Sequence, residues 1–131
     1  MTRKRGLTAA LLLGVFAVLA GGIAIVRWPV PAQERLQLSA EARQGEAIFS
    51  QHCALCHGAA AQGSEQGPPL VHQLYHPGHH GDQAFYRAAG QGVPQHHWNF
   101  GPMPAVAGVK EAEIALILRY VRELQRAEGI F

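Results

Sequence analysis

The sequence predicts a small all-α domain behind one transmembrane helix, on three observations. Residues Leu7 to Val26 form an apolar run without Asp, Glu, Lys or Arg. Downstream, apolar residues recur at helical spacing in three segments. Between them lie Gly- and Pro-rich loops, with no alternating strand pattern. The 131 residues suffice for one ordinary domain, and about a hundred remain once the apolar run is set aside. That length excludes a multidomain enzyme, a TIM barrel and a full Rossmann domain. A core so small is marginal unless a disulfide, metal or cofactor supplements it.

The apolar run reads as an address. At 1.5 Å per residue it spans about 30 Å, the thickness of the hydrocarbon core. Arg3-Lys4-Arg5 before it favours an inside N-terminus, and Arg27-Trp28 suit the far interface. Residues 1–31 are therefore expected to be anchor and linker, and residues 32–131 the domain, held on the periplasmic side of the inner membrane. The rival is a cleaved signal peptide, at Val18-Leu19-Ala20 or Val30-Pro31-Ala32, leaving a soluble periplasmic domain. The run is longer than a signal needs, and both readings export the domain. From Ala32 onward seven Lys and Arg face nine Asp and Glu, a net −2. Without a basic stripe, nucleic acid is excluded as a partner.

The only cysteines are Cys53 and Cys56, in Cys53-Ala54-Leu55-Cys56-His57. A thioredoxin-like pair needs a βαβ setting, which is missing. A structural zinc site needs a second pair of ligands, and a disulfide across so short a loop constrains little. The remaining reading is covalent haem c attachment, for which C-x-x-C-H is the signature. Two thiols add to the two haem vinyl groups, and a spacing of three sets both sulfurs on one side of a helical turn. His57 then offers its imidazole to the iron. The macrocycle also supplies the missing core.

A sixth iron ligand is expected from Met103, the only methionine besides Met1, held in Gly101-Pro102-Met103-Pro104. His96 and His97 are the rivals, and Met/His ligation recurs in electron-transfer cytochromes. Three helices are placed around this centre. The first covers 40–51, with Ser39 as N-cap and a stripe of Ala42, Gly45, Ile48, Phe49 and His52. The second covers about 82–89, capped by Asp82, with Phe85 and Ala88 inward. The last covers about 110–127, with Ile114, Ile117, Val121 and Leu124 on one face and Arg122 and Arg126 near its end.

From about residue 40 the chain resembles a class I c-type cytochrome: helix, C-x-x-C-H turn, proline loop, short helix, Met loop and closing helix. The resemblance implies a close crossing of first and last helices, with Gly45 and Phe49 meeting the Ile117 and Tyr120 positions. It also matches the family's Gly-Pro-x-Leu segment to Gly67-Pro68-Pro69-Leu70. Pro68 would then accept the other N–H of His57 and orient it. The implied function is a membrane-anchored one-electron carrier, not an enzyme, with iron ligands His57 and Met103 and membrane-bound redox proteins as partners. The alternatives are a peroxidase-like haem enzyme with a displaceable sixth ligand and a copper-handling or redox-sensing protein.

The departure from the family is histidine. His72, His76, His79, His80, His96 and His97 fall in one central stretch. They are expected to be solvent-facing loop residues, one of them joining Trp98 at a haem propionate. His79, His80, His96 and His97 are not expected all to ligate one second metal, since no i,i+4 helical pair or mixed ligand set stands out.

Overall fold

Ser39 opens the first helix, and the computed structural model, which describes residues 36–131, shows why. Its Oγ accepts the Ala42 N–H at 3.1 Å, satisfying a donor that the helix leaves unpaired. Helix α1 runs Ala40–His52 and buries Ala42, Gly45 and Phe49. His52, expected on that stripe, is exposed instead. It falls in the last turn, where the helix gives way to the cysteine motif. Ala54–His57 form a separate helical turn, α2.

A 3-10 turn follows at Gln73–Tyr75, where His72 Nδ1 accepts the Leu74 N–H at 3.1 Å. Helix α3 spans Asp82–Gln91, with Gly81 and not Asp82 as its N-cap. The carboxylate of Asp82 is turned instead to Arg122, 3.0 Å away. The helix ends at Gly92, at φ 76°. Helix α4 covers Glu111–Ala127 and begins with Glu113 accepting the Lys110 N–H at 2.8 Å. The described residues contain no strand, only one antiparallel bridge between Val93 and Met103.

The core sits where α1 crosses α4. A Cβ on Gly45 would stand 2.0 Å from the Leu116 carbonyl oxygen, so only glycine allows this approach. One turn later Phe49 meets Tyr120 edge to face, with centroids 5.5 Å apart. Val121 and Ala42 complete the contact, both fully buried. Ser39 pins the same crossing from the side, donating N–H and Oγ–H to Glu123 at 2.9 and 2.7 Å.

Arg122 lies near the end of the last helix, as expected, and is buried there. It donates to the Tyr75 carbonyl at 2.8 Å and the His80 carbonyl at 2.6 Å. It also donates to Gln125 Oε1 at 2.7 Å and lies over the Phe85 ring, 4.9 Å from its centroid. Gln125, fully buried, passes the anchor on to the Leu70 carbonyl at 2.8 Å. Together they fasten the 70–82 loop to α4. Among the described residues no helix is long and apolar enough to cross a membrane. The anchor expected at Leu7 to Val26 and the boundary at residues 31 and 32 lie outside the described residues.

Candidate haem site

A cavity of about 440 Å³ opens between the helices. Interiors of small domains hold few spaces larger than a water molecule, so a space of this size is dimensioned for a prosthetic group. Phe49 of α1, Phe85 and Ala88 of α3, and Ile114 and Ile117 of α4 give it apolar walls. Four of the residues named from sequence converge on it: Cys53, His57, Pro68 and Met103. Cys56 does not line the cavity but stands half-buried on the same helical turn.

Local structure places each of them. The N–H groups of Cys56 and His57 both close onto the Cys53 carbonyl, at 3.2 and 2.9 Å, which winds the motif into one turn. His57 is buried, and its Nδ1–H donates to the Pro68 carbonyl at 2.8 Å. A carbonyl can only accept, so the tautomer is set and Nε2 keeps its lone pair. Burial lowers the His57 pKa and the Pro68 hydrogen bond partly offsets it; the ring is held neutral, the state a metal requires. Burial, with Cys56 adding, pushes the Cys53 thiol up to about 11.

Met103 is aimed by its backbone. Its N–H and carbonyl both pair with Val93 at 2.9 Å, bringing the proline-flanked loop to the cavity wall. Gly92 makes room for that pairing: at φ 76° its absent Cβ would meet the Met103 carbonyl oxygen at 2.5 Å. Trp98 also lines the cavity, but its indole N–H donates to Tyr75 Oη at 3.1 Å. His72 packs edge to face against Trp98, with centroids 5.2 Å apart. The rival ligand His96 reaches the cavity rim, whereas His97 does not line it.

Arg122 and Gln125 were missed as organisers of this wall. The signal was present: Leu118, Arg122 and Gln125 continue the buried face of α4 at helical spacing, and two of the three are polar.

The residues fit a covalently held haem. The cavity is apolar, two free thiols sit on one turn beside it, and a neutral imidazole has one nitrogen uncommitted. Comparison with known proteins agrees. The cytochrome c family profile matches residues 42–125, and the chain belongs to that family. Haem c, covalently bound, is therefore its cofactor. The cytochrome bc1 complex cytochrome c subunits of Mycobacterium tuberculosis and Mycobacterium bovis are 37% identical to it over 71 residues. The aligned part is 52% of this chain and 25% of those relatives, so the likeness spans about a quarter of their length. No solved structure matches at the same level of significance.

Proposed function

We propose that this chain is a one-electron carrier, with His57 and Met103 as the two axial ligands of its haem iron. The observation that carries the reading is the shared cavity. His57, its Nδ1–H taken by Pro68, and Met103, held by Val93, both line it. Cys53 and Cys56 supply the two thioether sulfurs. When bound, the iron accepts and releases one electron. Pro68 orients the imidazole and raises its basicity. Met103 would contribute a soft, neutral sulfur, a donor that favours the ferrous state. With His57 and Met103 both holding the iron, a substrate would reach the metal only by displacing a side chain, which argues for transfer over catalysis.

The setting proposed is the periplasmic face of the inner membrane, with Leu7 to Val26 as a single-pass anchor. An anchor confines encounters to the membrane plane and raises the effective concentration of membrane-bound redox partners. The likeness to cytochrome c subunits of a cytochrome bc1 complex supports a redox complex as partner. Intact mass of the native protein tests the anchor; a mature chain starting near Gly21 or Gln33 would replace it with a soluble carrier.

Redox titration of Met103→His tests the ligation. The variant is expected to stay six-coordinate while its potential falls. A potential equal to the wild type's would show that Met103 is not a ligand.

A further inference from the structure

Two loops bring their histidines together at the rim of the cavity. One ring nitrogen from each of His79, His80 and His97 lies within 4.8 Å of the other two. The expectation of solvent-facing rings holds for His79 and His97, which are exposed. Convergence across 18 residues of sequence was not foreseen, because it depends on how the two loops are placed.

Three features of the cluster point to a metal ion. The Nε2 atoms of His79 and His97 stand 3.4 Å apart. Two imidazole nitrogens at tetrahedral bond lengths from one ion would be separated by about 3.3 Å. The Nδ1–H of His80 donates to the Leu74 carbonyl at 2.6 Å, which leaves Nε2 as the ligand nitrogen. This is how metal-binding histidines are usually held, with the other N–H given to a carbonyl or carboxylate. The third feature is rigidity behind the ligand. The His80 carbonyl accepts from buried Arg122 at 2.6 Å, so this backbone is fastened to α4. No carboxylate belongs to the group, and the nearby Asp82 is engaged by Arg122. A purely imidazole set selects Cu(II) and Zn(II) over Mg(II) or Ca(II), and copper binds tightest in the divalent series.

We propose that His79, His80 and His97 form a second metal site for an imidazole-preferring divalent ion, Cu(II) ahead of Zn(II), with a fourth position open to water. His96 stands outside the ligand set because the ring nitrogens that lie within 4.8 Å of one another belong to His79, His80 and His97 alone. Because His80 also lines the cavity, a bound ion would tie the 76–80 loop to the loop that leads into Met103.

The test uses the haem-loaded full chain, stripped with a chelator and titrated with Cu(II) alone and, separately, Zn(II) alone. Metal retained after desalting is counted per haem, and the copper sample is read by paramagnetic resonance for nitrogen ligands. One retained equivalent of copper per haem with nitrogen coupling is expected, and copper should displace zinc. His79→Gln combined with His97→Gln should weaken binding at least about a hundredfold while the haem spectrum stays unchanged. His80→Gln alone should also weaken it, and His96→Gln should not. The proposal fails if the full chain takes up no stoichiometric metal, or if the double variant binds as the wild type does. Loss of binding in His96→Gln alone would overturn the ligand assignment, and zinc outcompeting copper would overturn the preference.

Discussion

The crossing of α1 and α4 and the loops between α2 and α4 are built differently. At the crossing Phe49, Tyr120 and Val121 are almost wholly buried, and the backbones touch at Gly45. From residue 58 to 110 only Gly58, Ala61 and Gly67 are buried, and α3 buries no residue at all. The first region is closed by side chains meeting side chains. The second turns its apolar groups toward a cavity and hangs from α4 by the hydrogen bonds of Arg122 and Gln125. The difference teaches that the helix pair is a frame in its own right, whereas the loops take their core from the cofactor.

The comparison is tested hardest by removing both thiols. Cys53→Ser with Cys56→Ser should lose essentially all haem on extraction with acidified solvent. Hydrogen exchange in residues 58–110 should rise far more than in α1 and α4. Equal loss of protection in both regions would show one cooperative unit. Next in size is the crossing itself. Gly45→Ala sets a methyl 2.0 Å from a backbone oxygen that has no room to yield. It should cost about 3 kcal/mol in denaturant unfolding, more than the helix-propensity gain of about 1 kcal/mol returns. Arg122→Met strikes the suspension of the loops. It removes donors from the Tyr75 and His80 carbonyls and from Gln125 Oε1. About 2 kcal/mol should be lost, with chemical-shift changes concentrated in residues 72–82.

The smallest effect is a pH dependence. Burial raises the Glu123 pKa, but the two Ser39 hydrogen bonds, with Arg126 and Arg119, outweigh it and hold the carboxyl below its usual 4.5. A lowered folded-state pKa gives stability that is present above the unfolded value and lost as pH falls through the folded one. Melting temperature should therefore fall with acidification below about pH 4.5. Glu123→Gln should flatten that slope at a cost within about 1 kcal/mol at neutral pH. An unchanged acid slope would remove Glu123 from the account.

How much of this was legible in the sequence follows from the range of the interactions. The three main helices were readable within two residues or so at each end, because caps and periodicity are local: Ser39 and the Ile114, Ile117, Val121 stripe. The Asp82 cap failed because a distant guanidinium competes for its carboxylate. Cys53, His57, Pro68 and Met103 were named in advance and meet at one cavity, since motif and resemblance carry long-range information that periodicity lacks. Burial of Arg122 was legible only in part: its position continues the periodic buried face of α4, but a charged residue near a helix end ordinarily faces water. The histidine cluster was hidden for a related reason. His79, His80 and His97 are neighbours only once α3 and the 93–103 loop have packed.

The central claim is that the chain itself fills both axial positions of the iron, and carbon monoxide tests it most directly. The optical spectrum of the reduced haem-loaded protein should not change when the gas is added, and that of Met103→Ala should change at once. Rapid binding by the wild type, or a Met103→Ala variant as unresponsive as the wild type, would contradict the account.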